Sequence, residues 1–184
     1  MSRGTQRLAR AGTSRQAHPV LLDPGSRAPG GAAVDALDPA AGPVDLGALA
    51  STRPALVVFY KADCPASEAA APALPRFAAI RGLSVAAVSQ DGPEETARFA
   101  RAHGWTAALR RLRDPEPWPA SDAWGIAVTP TFVLVAPGGR VEAVAEGWSR
   151  DEANRLAARA ATLAGAPPVV VSRPEDGGPA YRPG

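Results

Sequence analysis

At 184 residues the chain is long enough for one domain with a sizeable core. Its formal charge of +2 is close to balance, and no basic stripe interleaved with aromatics is present, so no nucleic-acid partner is expected. The single cysteine excludes an internal disulfide framework and any cysteine-rich metal site, and His18 and His103 lack ligand spacing, so neither metal nor cofactor is expected.

In chain order, residues 1–27 read as a disordered basic arm carrying Arg3, Arg7, Arg10, Arg15 and Arg27. No apolar run of signal-peptide or membrane-span length follows, which makes a cytoplasmic location and no membrane span the expectation. One domain is expected over residues 28–165. Within it Val34–Leu37 and Pro43–Leu46 read as short strands. Leu56–Tyr60, a run of apolar and aromatic β-formers, reads as a buried central strand. After Cys64 the pattern changes to helical spacing, predicting a helix to about Ile80 that Pro72 and Pro75 interrupt.

Leu83–Ser89 reads as another buried strand. Asp91 is the expected N-cap of a helix ending near His103 and Gly104, with Glu94 three residues on. Leu112–Asp114 reads as a short strand, Ser121–Trp124 as a helical turn. Thr131–Val135 and Val141–Ala145 form a hairpin across Pro137-Gly138-Gly139. Ser149-Arg150-Asp151-Glu152 is a capping box opening a helix to about Leu163. Residues 166–184, rich in proline and glycine, read as an extended or disordered tail. Strands alternating with helices, followed by a hairpin, predict an α/β fold with a mixed sheet and helices on both faces.

Cys64 therefore falls where a strand hands over to a helix. A thiol there faces the unpaired N–H groups and the positive dipole end of the helix, which favours the thiolate, the reactive form. Pro65 suits the first helical turn, where its missing N–H costs nothing. The bland alternative is an inert, buried cysteine packed as a small hydrophobe. Lys61 and Asp63 flank it with opposite charges, so their net effect has no sign from sequence. Trp105, Trp118, Trp124 and Trp148 are expected as core or loop-packing residues rather than as the lining of a groove.

The run Phe59-Tyr60-Lys61-Ala62-Asp63-Cys64-Pro65-Ala66-Ser67 resembles the active-site segment of the thioredoxin-like superfamily, in its redoxin or thiol–disulfide oxidoreductase branch. There a central strand ends in Cys-Pro-x-Cys; here Ser67 stands at the second cysteine. Gly125–Val135 resembles the same family's Val-x-Pro-Thr strand entry, whose proline is cis and lies against the active-site sulfur. The resemblance runs from about Val44 to Gly165 and implies a thioredoxin-like three-layer α/β fold with Thr129–Pro130 in cis. It makes Cys64, Ser67 and Pro130 the candidate catalytic residues, and Pro65, Thr129 and Thr131 the candidate substrate-binding ones. The peroxiredoxin pattern Pro-x-x-x-Thr-x-x-Cys is not met, because Val57 and Lys61 occupy its proline and threonine positions.

With one sulfur, three readings stay open. A monothiol oxidoreductase would attack disulfides through Cys64 and rely on an outside thiol for resolution. A non-catalytic module would hold a partner peptide in the cis-proline groove. A one-cysteine peroxidase would pass through a sulfenic acid. The implied partners are protein or low-molecular-weight thiols and disulfides. A lone cysteine also permits an intermolecular disulfide, and hence a homodimer.

Overall fold

The computed structural model describes residues 22–31, 33–37 and 42–184, with the Ala33 side chain left out. Most of the expected arm, residues 1–21, lies outside these. The elements are strands β1 (Ala33–Ala36) and β2 (Val44–Asp45), strand β3 (Ala55–Tyr60), helices α1 (Pro65–Ala70) and α2 (Leu74–Ala78), and strand β4 (Ser84–Ser89). Helix α3 (Pro93–Ala102), strand β5 (Arg110–Arg113), helix α4 (Pro119–Ala123) and strands β6 (Thr131–Val135) and β7 (Val141–Glu146) follow. The chain closes with β8 (Trp148–Ser149), α5 (Arg150–Ala164) and β9 (Tyr181–Arg182).

Among the described residues, seven strands form one sheet in the order β2-β1-β5-β4-β3-β6-β7. β3 lies between β4, which is parallel to it, and β6, which is antiparallel. All six β3 residues are buried, as a strand covered on both faces requires. Its side chains alternate between two cores, as the pleat dictates. Leu56, Val58 and Tyr60 join α1, α2, α3 and α5 through Ala66, Leu74, Phe77, Phe99, Leu156 and Ala160. Val57 and Phe59 pack on the opposite face with Leu46, Ala120 and Trp124. This is the expected mixed sheet with helices on both faces, and the fold is thioredoxin-like.

One local reading is met in detail and three are corrected. The helix after Cys64 is broken into α1, a 3-10 turn at Ala71–Ala73, and α2, with a proline in the first turn of each later piece. Pro72 and Pro75 each lack a donor and end the i→i−4 ladder behind them. α3 is capped by Gly92 rather than Asp91, because the Asp91 carboxylate is engaged elsewhere. β5 starts two residues earlier than expected, paired in parallel with Ala86–Ser89 of β4. The proline- and glycine-rich segment after Gly165 is extended but docked. Val171 and Ser172 are buried, a 3-10 turn spans Pro174–Asp176, and β9 pairs antiparallel with β8.

Docking of that segment has named causes. Asn154 on α5 accepts from the Val171 and Ser172 N–H groups at 2.9 and 3.2 Å and donates to the Ser172 carbonyl at 2.9 Å. Arg76 on α2 donates to the Val171 carbonyl at 3.0 Å and forms a two-pronged ion pair with Asp176. Trp148 Nε1 donates to the Pro179 carbonyl at 2.9 Å. Proline and glycine composition marks the lack of a regular element; it does not forbid a packed one when side chains elsewhere satisfy the backbone.

Candidate active site

β3 carries the chain to the edge of the sheet, and the turn Lys61–Asp63 leads to Cys64. Cys64 is the N-cap of α1, in extended conformation (φ −88°, ψ 119°), with Pro65 next. Its N–H donates to the Lys61 carbonyl at 3.3 Å, and its carbonyl accepts from Glu68 at 3.0 Å. The sulfur is half-buried. The Cys64 thiol donates to the Thr129 carbonyl at 3.1 Å.

Thr129–Pro130 is a cis peptide bond, and Pro130 is buried. The structure thus brings Cys64, Thr129 and Pro130 together. Ser67 is buried one turn along α1, where its hydroxyl accepts from the Lys61 N–H at 3.4 Å. Pro65 is exposed at the helix start. Thr131 is buried, and its hydroxyl donates to the Val128 carbonyl at 2.7 Å, so it braces its own turn.

Burial pushes the Cys64 thiol up. The Ser67 N–H and hydroxyl, the Ala66 N–H and the Thr129 side chain act against it, and their sum holds the thiol below its ordinary value. These groups stabilise the charged form by hydrogen bonding, the same effect that lowers a carboxyl at a helix N-terminus.

Three residues to which the sequence reading gave no part in the site support this geometry. Asp91, just past β4, accepts from the Ala62 N–H at 2.7 Å and from the Ser89 hydroxyl at 3.0 Å, fixing the turn before Cys64. A polar residue ending the strand parallel to β3 was the available signal; the capping pattern with Glu94 masked it. Trp118, in the left-handed region (φ 61°) after a cis Glu116–Pro117 bond, lies under Lys61, whose Nζ is 5.7 Å from its ring centroid. It is 36% exposed, whereas Trp105, Trp124 and Trp148 are buried. Gly147 donates its N–H to the Pro130 carbonyl at 2.7 Å and so ties β7 to the cis-proline turn.

Beside the turn that precedes Cys64, an open cleft of about 450 Å³ lies between α1 and α3, lined by Asp63, Glu68, Asp91, Glu95, Arg98 and His103 among others. Among the described residues no group of three or more histidine, cysteine, aspartate and glutamate side chains is placed to hold a metal ion. Nor is any helix there long and apolar enough to cross a membrane.

A strand-to-helix cysteine beside a buried cis proline, at one end of a mixed sheet with seven strands among the described residues, gives a thioredoxin-like fold. Residues 46–152 match the model of the family described as "TraF: F plasmid transfer operon protein", and the chain belongs to that family. Solved structures similar to it include a secreted Mycobacterium tuberculosis disulfide oxidoreductase, at 21% identity and TM-score 0.57, covering 68% of this chain and 94% of that one. A Chlorobium tepidum protein of the DsbE thiol:disulfide interchange type is 22% identical, with TM-score 0.63 and coverage of 78% and 97%. A peroxiredoxin-like protein from Aquifex aeolicus is 18% identical, with TM-score 0.62 and coverage of 76% and 88%. At these identities the likeness is one of fold. No curated protein matches the sequence significantly.

Proposed function

We propose that this protein is a thioredoxin-like monothiol oxidoreductase that acts on disulfides through Cys64. One observation carries the reading: the sulfur is half-buried at the start of α1, beside the cis Thr129–Pro130 bond, and its thiol is held below the ordinary value. A structural cysteine gains nothing from that arrangement, whereas a nucleophile needs it.

In the first step the Cys64 thiolate attacks one sulfur of a substrate disulfide. A new S–S bond forms to Cys64, the substrate S–S bond breaks, and the other substrate sulfur leaves as thiolate. Ser67 has no sulfur to resolve the adduct. An outside low-molecular-weight thiolate therefore attacks the mixed disulfide, takes the substrate sulfur into a new disulfide and returns Cys64 as thiolate. Ser67 serves to hydrogen-bond the thiolate in both steps. In its thiol form Cys64 donates to the Thr129 carbonyl. Substrates are protein or small-molecule disulfides.

The test is intact-protein mass spectrometry after incubation with glutathione disulfide, then with reduced glutathione. The wild type should gain one glutathionyl group and lose it to the added thiol; Cys64→Ser should gain none. A wild type that takes up no adduct would make the protein a binding module of the same fold.

A further inference from the structure

The cis-proline side of Cys64 is covered by the chain's own residues 181–184. β9 runs antiparallel to β8, with Tyr181 opposite Ser149 and Arg182 opposite Trp148, and lies beside α1. Gly147, at φ +70°, allows the approach: a Cβ there would stand 3.0 Å from the Arg182 carbonyl oxygen and 3.0 Å from the Gly184 nitrogen. Gly184 then reaches the active-site turn. A Cβ on Gly184 would collide with Val128 Cγ1 and stand 2.7 Å from the Thr129 carbonyl oxygen. That oxygen is the one accepting from the Cys64 thiol at 3.1 Å. Residues 181–184 thus lie on the backbone edge that an extended peptide would need in order to bring a disulfide to the sulfur from this side.

The strap is built to be anchored at one end and released at the other. Its proximal part holds the buried Val171 and Ser172 and the Arg76–Asp176 pair. Its distal part follows Gly177, in the left-handed region at φ +75°, and residues 173–184 are exposed throughout, Tyr181 at 65%. Beyond Pro179, backbone hydrogen bonds hold it: Arg150 donates its N–H to the Ala180 carbonyl at 2.8 Å, and β9 pairs with β8. A segment held by a few surface hydrogen bonds, with no apolar anchor of its own, opens far more readily than the core.

The geometry points to residues 181–184 as an internal competitor that occupies the peptide-docking edge beside Cys64 and must leave before an extended disulfide substrate enters. This rests on the disulfide-exchange reading. Cys64 is itself only half-buried, so small reagents keep access to the sulfur with the strap in place.

Two variants test it. Deleting residues 181–184 keeps the Ala180 carbonyl and the buried anchor. Gly184→Val keeps the full length but cannot seat its side chain against Val128 and Thr129. For each, Cys64 is reacted with iodoacetamide and with a disulfide-linked peptide pair, the latter read by the thiol it releases. The peptide-disulfide rate should rise about tenfold in both variants, while the iodoacetamide rate changes less than about twofold. On the wild type, hydrogen exchange at the Arg182 amide should accelerate once a peptide is disulfide-linked to Cys64, with the Val171 and Ser172 amides staying protected. Unchanged peptide-disulfide rates in both variants, or an Arg182 amide still protected in the linked form, would overturn the competitor. A sulfur unreactive towards every disulfide, in the wild type and both variants, would instead sink the exchange reading on which it rests.

Discussion

At the scale of single residues, the account turns on Cys64 and the groups that favour its thiolate. Ser67→Ala removes the hydroxyl and leaves the N–H, so the thiol should rise towards its ordinary value of about 8.5 without reaching it. Rates of alkylation against pH would show the shift; an unmoved midpoint would mean that the hydroxyl contributes nothing. Ser67→Cys places a second sulfur one turn away, with Cβ atoms about 5–6 Å apart, which small adjustment brings into disulfide range. It should gain dithiol activity in an insulin-reduction assay with dithiothreitol as donor, with Cys64→Ser inactive. The sign of the linkage follows from a thiol depressed in the folded state. It adds stability above the unfolded value of about 8.5, and that gain is lost as pH falls through the lower folded value. Cys64→Ser should therefore flatten any rise in stability across that window.

At the scale of elements, the segment after Gly165 is the clearest case of structure supplied from outside itself. Asn154 satisfies three backbone groups of that segment, so Asn154→Ala should cost about 1–3 kcal/mol and strip hydrogen-exchange protection from the Val171 and Ser172 amides. Retained protection would mean that the segment is held by its apolar contacts alone. Asp176 is held well below the usual carboxylate range, first by the Arg76 hydrogen bonds and then by the Arg173 N–H. Its contribution is present above about pH 3.9 and is lost as pH falls towards the depressed folded value.

Strands were legible in the sequence because β3, β4 and β6 are continuous apolar runs, and the Pro-Gly-Gly turn marked the hairpin. The candidate site was legible at Cys64 and Pro130, each flagged by local sequence, and the structure places them together. The docked segment was not, since its partners Arg76 and Asn154 are distant in sequence and its composition signals only the lack of a helix or strand. Asp91 was misread as a cap for a related reason: Ala62, which takes its carboxylate, belongs to another strand's turn.

At the scale of the whole molecule, two cores flank one sheet, and each has a large aromatic at its centre. Phe77 and Trp124 are both fully buried. Phe77→Ala should cost about 3–5 kcal/mol, a large part of the roughly 5–15 kcal/mol that holds a domain folded. Trp124 differs, because its buried indole N–H has no partner among the described residues. Trp124→Phe removes that unpaired donor along with some volume, so it should cost well under the about 3–5 kcal/mol of Trp124→Ala. Urea unfolding of the two variants checks this, and equal costs would show that the indole N–H is satisfied in solution. The sheet, α1 and the cis-proline turn converge on a single sulfur, and its ionisation is the property on which the proposed nucleophile rests. The most direct test is the rate of Cys64 alkylation by iodoacetamide as a function of pH. A half-maximal rate reached clearly below about pH 8.5 is the predicted result, and a midpoint at or above that value would contradict the account.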